Sequence, residues 1–519
     1  RMRKQCMTTP TAMVGAICVF GISLFSSFIL PSLLQPAFDG PDGALWVRPF
    51  TIWIGLVAAV FCILLPLARA RFRDTESILL LGTAFFLGGV LLFVGIQRFS
   101  SGLRELESFH EGRCLRIGLG VPLFPDPEKA PLGSYYTPLL YVLGGVLYRV
   151  FPGASGYGRL ISLSAVAVTA AFAFVIARMH FRSEKAGLWA CTLFLGTYSI
   201  MGKMYDWVLV DPLMMCLLVV SLYFLMKDTP RGDFSALWFA GLACLTKQTA
   251  LLPFAVVLAF AVTRRRPWWV YTPVVCWILL GGVMIAATDG RAWLYLVAER
   301  TGQNFKSWPH PDAMMRLFVF QLPLWAMAAL SLRRNRSVRF EICSVSVLLI
   351  CIAGAWKGGG WINTVFPFEP FLCVAAAGIA GKWKLLGVVQ LVLGIYNPFA
   401  TIYPWATIRN PDQRAVTIAR SVDGDVWFPA QPYLYGRAGK PVWEDFGSLE
   451  ARAAGGIPPP DRFMTALQRK HFECIIMRRG GAFWFGSVSP AIHQAVTCNY
   501  MQRTQGELII FEPTVETSP

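Results

Sequence analysis

The chain has 519 residues, of which 55% are hydrophobic and only 15% are charged, and its mean hydropathy is +0.52. Soluble domains average about 25% charged residues, so a chain this apolar cannot cover a water-facing surface with polar groups. A soluble enzyme, a disordered chain and a small disulfide-rich protein are therefore excluded, and a protein that crosses a membrane several times remains.

Membrane spans are predicted wherever about 20 mainly apolar residues follow one another, since that length crosses a bilayer as a helix. The pieces at 234–247 and 249–263 are short, and they form either two thin spans or one long broken span. In total the sequence predicts thirteen spans, at residues 12–34, 51–68, 77–97, 159–178, 184–202, 207–226, 234–247, 249–263, 268–288, 314–332, 341–356, 362–380 and 384–402.

The orientation follows from the basic residues, because Lys and Arg collect in the cytoplasmic loops of membrane proteins. Every second loop is short and basic, for example at 69–73, 264–266 and 333–339. This pattern predicts a cytoplasmic N-terminus and an outer C-terminus. It also accounts for the net charge of +17 without any binding of nucleic acid.

The predicted organisation has three parts: two N-terminal spans in 1–76, a membrane core in 77–402 with an external loop at 98–158, and an external α/β domain in 403–519. Within the loop, residues 138–150 are apolar but too short to span. They predict a helix that lies in the membrane interface.

The external α/β domain is predicted from strand-like runs at 425–429, 472–477 and 507–511 and a helix at 461–470. Its two cysteines, Cys474 and Cys498, are predicted to form a disulfide in an oxidising compartment.

Two acidic groups stand out, since an ionisable side chain at or beside the membrane core is costly and therefore a functional candidate. Glu105 and Glu107 follow the third span, where a carboxylate can act as a general base; the alternative is a solvated loop face. Asp206 and Asp211 begin the sixth span. Asp206 is alternatively a helix cap, whereas Asp211 lies inside the apolar run and needs a partner or a ligand.

Three further candidate sites are a lysine, a glycine-rich segment and a loop that carries charged residues of both signs. Lys247 lies between the two short spans, where it either contacts a phosphate or extends its ammonium to water. Glycines at 358–360 leave backbone N–H groups open to an anion, and Asn363 and Glu369 follow them. The loop at 289–313, which includes His310, is placed to close over a substrate.

Taken in order, these segments resemble the C-type (GT-C) integral-membrane glycosyltransferases. The bacterial members related to glycosyltransferase family 39, which include protein mannosyltransferases and lipid A aminoarabinose transferases, are the most similar. The residues that carry the resemblance are Glu107, Gly120 to Pro127, Tyr135 to Tyr141, Gly158, Arg159, Tyr205, Asp206, Asp211, Leu245 to Thr249, Asn363 and Glu369.

The resemblance implies an all-α membrane enzyme that takes a sugar from a polyprenyl phosphate and gives it to a glycan, lipid or protein acceptor. In such enzymes the carboxylate of an acidic residue in the first external loop acts as the general base. The matching residue in this chain is Glu107 or Glu105. Cationic side chains, sometimes with a divalent cation, steady the lipid phosphate. The bacterial relatives imply an inner-membrane location with the chemistry on the outer face.

The resemblance also assigns the remaining candidates. Lys247 and Arg159 hold the phosphate. Asp206 and Asp211 orient the sugar or bind the cation, and further substrate contacts come from Tyr136, Asn363, Glu369 and His310. No nucleotide-binding motif occurs in the sequence. The alternatives are a transporter or flippase for a lipid-linked saccharide, and a structural subunit of a membrane complex.

Overall fold

A computed structural model describes residues 74–514, apart from 101–102, 104, 127–133, 135, 152–155, 203, 299–307, 358–361, 396–410, 455–457 and 479–488. The predicted spans at 12–34 and 51–68 lie outside the described residues. So do the end of the predicted span at 384–402 and the glycines at 358–360.

Long helices form most of the described chain up to residue 395. Shorter turns of helix connect them, at Gln248–Ala250, Pro311–Met314 and Ile362–Phe368 among others. In chain order the helices are α1 (Thr75–Ser100), α2 (Glu105–Gly118), α3 (Leu139–Val150), α4 (Tyr157–Phe181), α5 (Glu184–Gly196), α6 (Val210–Met226), α7 (Pro230–Cys244), α8 (Leu251–Thr263), α9 (Thr272–Ala287), α10 (Leu322–Arg334), α11 (Val338–Trp356), α12 (Glu369–Ala380) and α13 (Lys384–Ile395).

Five helical segments of the described chain are long and apolar enough to cross a membrane. A sixth is added if Pro311–Val319 and α10, which meet at a bend of 52°, count as one span. The helical membrane-protein class is therefore confirmed, and the number of thirteen spans stays a prediction. The segment Ile362–Ala380 is 83% buried and Trp268–Ala287 only 11%, so α12 runs through the centre of the bundle and α9 lies at its periphery.

Helices α7 and α8 form an antiparallel hairpin rather than one broken helix. Asp233, in the first turn of α7, accepts hydrogen bonds from Arg264 Nη1 at 2.5 Å and Arg266 Nε at 2.6 Å, just beyond the end of α8. Helix α7 is short: it has 15 residues, which corresponds to a length of about 22 Å at 1.5 Å per residue. A bilayer core is about 30 Å thick, so α7 is shorter than this core is thick.

A network of buried and half-buried charges closes the other end of this hairpin. Asp228 contacts Arg264 and Arg266 at 3.5 and 3.0 Å and also pairs with Arg339, while Asp233 joins the same two arginines. The basic loop residues were predicted from the sequence, but their acidic partners were not. Arg264, Arg266 and Arg339 come from two loops that the sequence predicts on the same side of the membrane, and which side this is stays a prediction.

A four-stranded sheet occupies the C-terminal residues, in the order β1-β2-β4-β3. The strands are β1 (Asp425–Trp427), β2 (Phe472–Arg478), β3 (Tyr500–Gln505) and β4 (Leu508–Pro513). β1 pairs parallel with β2, and the other pairs are antiparallel. The small α/β unit is therefore confirmed. Strand β3 was missed because its Met-Gln-Arg-Thr-Gln sequence is polar and largely exposed.

Five helices accompany this sheet, and the predicted helix at 461–470 is one of them. They are α14 (Pro411–Arg420), α15 (Leu434–Ala438), α16 (Phe446–Ala454), α17 (Asp461–Gln468) and α18 (Pro490–Asn499).

The predicted disulfide is wrong, because Cys474 and Cys498 are both free thiols. Cys474 is buried in β2, whereas Cys498 lies on the exposed face of α18, so the two side chains face different surroundings. Burial raises the pKa of the Cys474 thiol to about 12. Because the thiolate is the reactive form, this thiol is inert at physiological pH.

Candidate functional site

Helices α2 and α3 form a tightly packed pair between α1 and α4. A Cβ added at Gly144 would come within 2.4 Å of Cys114 Sγ, and one at Gly145 within 2.5 Å of Ile117 Cγ2. Only glycine allows this approach. The other side of α3 exposes apolar side chains such as Val146, as the predicted interfacial helix requires.

Glu107 of α2 is held in a buried ion pair with Arg159 of α4. Arg159 Nε donates to Glu107 Oε1 at 2.7 Å and Arg159 Nη2 to Glu107 Oε2 at 2.8 Å, and neither side chain is exposed. The backbone N–H of Val208 donates a third hydrogen bond to Glu107 at 3.2 Å. A bidentate ion pair of this kind, with two parallel N–H to oxygen hydrogen bonds, is among the strongest interactions that a carboxylate makes.

The pairing joins two residues for which the family resemblance implies separate roles, Glu107 as base and Arg159 as phosphate contact. Two donors of the Arg159 guanidinium are engaged by Glu107, so its contact with a phosphate stays a prediction. The side chain of Glu105, the alternative base, lies outside the described residues.

A second buried cluster joins Asp211, Lys247 and Asn363, which come from three distant parts of the chain. Lys247 Nζ lies 2.6 Å from Asp211 Oδ1, and Asn363 Nδ2 donates to Asp211 Oδ2 at 2.8 Å. The Lys247 side chain is 7% exposed and that of Asp211 1%. Lys247 Nζ also lies 5.5 Å from the centre of the Tyr136 ring, close enough for a cation–π contact.

Local structure explains why these three side chains meet. Asp211 lies in the first turn of α6, where the helix dipole favours a negative charge. The backbone of Lys247 is extended at the turn between α7 and α8. Asn363 lies near the start of the short helix Ile362–Phe368, which precedes α12. The backbone N–H of Leu139 donates to Leu245 O at 2.8 Å, which ties the start of α3 to the same turn.

The segment 206–211 connects the two clusters. Asp206 Oδ1 accepts a hydrogen bond from the Tyr198 hydroxyl at 2.7 Å, Val208 contacts Glu107, and Asp211 contacts Lys247. Val208 and Asp211 are three residues apart, so the two clusters are separated by at most about 10 Å of chain.

A protein-only metal site is not formed by the residues that the structure describes, since no group of three or more His, Cys, Asp or Glu side chains is placed to hold an ion. Asp206 and Asp211 have different partners, and both oxygens of Asp211 are engaged by Lys247 and Asn363. This donor set does not fit a divalent cation shared by the two aspartates.

Two predicted contacts have other partners. Glu369 is fully buried at the start of α12 and accepts a hydrogen bond from Gln321 Nε2 at 2.8 Å. The backbone N–H of His310 donates to Ala355 O at 2.8 Å, and among the described contacts neither His310 nor Glu369 joins the Asp211–Lys247 cluster. Of the predicted residues, the structure brings together Tyr136, Asp211, Lys247 and Asn363, and separately Glu107 and Arg159.

His110 is a neighbour of the site to which the sequence analysis assigned no role. Its Nδ1 lies 2.8 Å from the Tyr141 hydroxyl, and its ring centre is 5.6 Å from that of Tyr136. Lys247, Tyr136 and His110 therefore form a continuous stack between the hairpin turn and α2. The only signal in the sequence was the position of His110 three residues after Glu107.

The C-terminal residues cover the other face of α2. Arg113 Nη2 donates to Ser448 Oγ at 3.3 Å and lies 4.0 Å from Asp445 Oδ1, and the N–H of Leu103 donates to the Tyr433 hydroxyl at 3.2 Å. Arg116 is buried beside Arg113, and burial lowers its pKa to about 10. It stays charged at neutral pH.

No family model matches the sequence, and a search of curated proteins finds no match. Among solved structures, ArnT from Cupriavidus metallidurans bound to undecaprenyl phosphate is similar, with a TM-score of 0.57 and 12% identity over 83% of this chain and 98% of that chain. Apo ArnT from the same organism has a TM-score of 0.54 and 12% identity, over 82% and 96%.

The archaeal oligosaccharyltransferase AglB from Archaeoglobus fulgidus, in complex with an inhibitory peptide and a dolichol-phosphate, has a TM-score of 0.47 and 11% identity over 83% of this chain and 74% of that chain. At these identities a likeness shows the fold. The likeness to ArnT shows that the chain shares the fold of that protein, and this is the kind of fold that the resemblance implies.

Proposed function

We propose that this chain is a membrane glycosyltransferase that moves a sugar from a polyprenyl phosphate to an acceptor on the outer side of a bacterial inner membrane. One observation carries the proposal: within a fold shared with a protein that binds undecaprenyl phosphate, the Lys247 ammonium at the turn of a short hairpin pairs with Asp211, and Asn363 holds Asp211 in turn. A cation at this depth is costly unless it serves a ligand or a partner.

Lys247 is the proposed contact for the lipid phosphate. Because α7 and α8 are shorter than the bilayer core is thick, the turn that carries Lys247 sits below the membrane surface, where the phosphate of a membrane-embedded lipid arrives. The ammonium attracts the phosphate as a point charge. Asp211 orients the ammonium and is itself held by Asn363, and the Tyr136 ring covers the ammonium.

The proposed reaction is a single displacement. The acceptor hydroxyl oxygen attacks the anomeric carbon while the carbon–oxygen bond to the phosphate breaks, and the polyprenyl phosphate leaves with the bonding electrons. The hydroxyl proton passes to a carboxylate of α2, Glu107 or Glu105. Attack opposite the leaving group inverts the anomeric carbon.

Glu107 is the proposed base, with one structural requirement. All of its described hydrogen bonds come from Arg159 and Val208, and it is fully buried. To give up its proton, the acceptor hydroxyl must reach this buried carboxylate beside, or in place of, one of these donors. The ion pair with Arg159 favours the ionised form that a base needs before the reaction.

The experiment for the proposed function supplies membranes that contain the protein with a set of radiolabelled polyprenyl-phosphate sugars. We expect one donor to lose its label to an acceptor and to release polyprenyl phosphate. Membranes with Glu107→Gln protein are the matched control. No transfer from any donor in wild-type membranes would contradict the proposal.

A transporter for a lipid-linked saccharide is the second candidate, and one observation favours it. Pro311–Val319 and α10 meet at a bend of 52°, and Gln321 at this bend contacts the buried Glu369. Broken helices with buried polar groups are typical of transporters. Movement of an intact lipid-linked saccharide across vesicle membranes, without release of polyprenyl phosphate, would support this candidate over transfer.

The proposed orientation, with the C-terminal residues outside, can be tested with a natural residue. Cys498 is exposed on α18, so we expect it to react with a membrane-impermeant maleimide in intact spheroplasts. Peptide mapping identifies the labelled residue, and Cys498→Ser protein is the control. Labelling of Cys498 only after lysis would reverse the orientation and the side on which each site lies.

A further inference from the structure

We propose that Glu111 is a positioning residue that locks α2 onto the start of α4 and so holds Glu107 against Arg159. This inference rests on the proposed function for its effect on catalysis. The lock itself is a structural claim that can be measured without any activity.

Glu111 is fully buried and accepts four hydrogen bonds. Its Oε1 accepts from the Tyr148 hydroxyl at 2.6 Å and from the N–H groups of Gly156 and Tyr157 at 2.7 and 2.9 Å. Its Oε2 accepts from the N–H of Gly158 at 3.0 Å. The first N–H groups of a helix lack partners within the helix, and the helix dipole favours an anion there. The carboxylate therefore fills a site that the 25-residue α4 creates.

Two glycines make this approach possible. Gly156 has a φ of +92°, which side chains rarely permit. A Cβ at Gly158 would lie 2.1 Å from Val208 Cγ1 and 2.9 Å from Glu111 Oε2. The sequence Gly-Tyr-Gly thus shapes a backbone pocket for one carboxylate. The absence of a side chain at Gly158 also lets Val208 lie close to the site.

Glu107 and Glu111 are four residues apart, so they share one face of α2. Together they bind four consecutive residues, since Glu111 takes the N–H groups of 156–158 and Glu107 takes the side chain of Arg159. A shift of α2 that breaks one interaction therefore strains the other.

The opposite face of α2 is basic and is held by the C-terminal residues. Arg113 contacts Ser448 and Asp445, and a Cβ at Gly112 would lie 2.9 Å from Pro432 Cγ. Helix α2 is thus enclosed on both sides. Glu111 touches none of the proposed reacting groups, so its effect on the reaction passes through Glu107.

Glu111→Gln is expected to lower kcat by about 10- to 100-fold, the loss typical of a small displacement of a catalytic group. The amide NH₂ is itself a hydrogen-bond donor, so it cannot accept hydrogen bonds from the backbone N–H groups that it faces. The KM for the donor should stay within about twofold, because the Lys247 cluster is untouched. A Glu111→Gln protein with wild-type kcat would overturn the proposal.

A thermal double-mutant cycle tests the lock independently of activity. Tm is measured for Glu107→Gln, Glu111→Gln and the double variant. We expect the decrease in Tm of the double variant to be clearly smaller than the sum of the decreases in the two single variants. The reason is that the second substitution removes an interaction that the first has already weakened. The control pairs Glu107→Gln with Asp233→Asn, a buried ion-paired carboxylate at the start of α7, and its losses should add.

Additive losses in the Glu107 and Glu111 cycle would overturn the lock. If Glu111→Gln protein does not fold, Tyr148→Phe takes its place, since it removes one of the four donors and keeps the ring. If wild-type protein transfers no sugar from any donor, the proposed function fails, and the thermal cycle still decides whether Glu111 holds Glu107.

Discussion

Glu107→Gln protein is expected to transfer sugar about 10²- to 10⁴-fold more slowly than wild-type protein, which corresponds to about 3–5 kcal/mol of barrier. The amide keeps the size of the side chain and one acceptor oxygen but cannot take the acceptor proton. Donor binding should be largely retained, because Lys247 and its partners are unchanged. Single-turnover transfer and donor binding measured on the same preparations test both parts.

The buried pair with Arg159 demands a control, because a neutral residue at 107 leaves the Arg159 charge without its counter-charge. Breaking a buried pair from one side typically costs about 3–5 kcal/mol of stability. The double variant Glu107→Gln with Arg159→Met removes both charges and should recover part of the lost Tm. If Glu107 is the base, this double variant stays inactive.

Glu105→Gln is the companion variant. If Glu105→Gln abolishes transfer and Glu107→Gln does not, the base is two residues earlier and the mechanism stands. Near-normal turnover in both single variants and in their double would end the proposal of a base on α2, and Asp206 would become the leading candidate.

Lys247→Met protein is expected to bind polyprenyl phosphate about 10- to 100-fold more weakly, the loss expected for one charge-assisted hydrogen bond of about 1.5–3 kcal/mol. It should also be less stable, because Asp211 keeps its buried charge and loses its cationic partner. Methionine matches the stem of lysine, so packing against Tyr136 is largely kept. Lipid binding and Tm are measured together.

The double variant Lys247→Met with Asp211→Asn separates the two effects. It removes the buried charge pair and keeps an acceptor oxygen for Asn363, so its Tm should return towards that of wild-type protein. Its affinity for polyprenyl phosphate should stay low if Lys247 contacts the phosphate. A double variant that binds the lipid as tightly as wild-type protein would reduce Lys247 to a structural partner of Asp211.

The helices could be predicted because each is a local property of the chain. A run of apolar residues long enough to cross a bilayer identifies itself, as at α1, α4 and α11. Strand β3 could not be found in this way, since its exposed polar residues carry no apolar alternation. Its place in the sheet depends on pairing with β4.

The candidate site could be predicted as single residues but not as pairs. Asp211 and Lys247 stood out because a charge in an apolar run is costly, yet their pairing arises from packing between segments 36 residues apart. The family resemblance implies separate roles for Glu107 and Arg159, which the fold joins in one ion pair. The spacing of four residues places Glu111 on the same helix face as Glu107, but the backbone groups that bind Glu111 belong to α4 and have no signature in α2.

An experimental structure of the protein with bound polyprenyl phosphate would show directly whether Lys247 holds the lipid phosphate. We predict that the phosphate lies within hydrogen-bond distance of Lys247 Nζ, on the side of the Asp211 cluster that leads to Glu107. The lipid chain should leave beside the α7–α8 hairpin. A phosphate bound elsewhere, with Lys247 still paired to Asp211 and out of reach, would contradict the central claim.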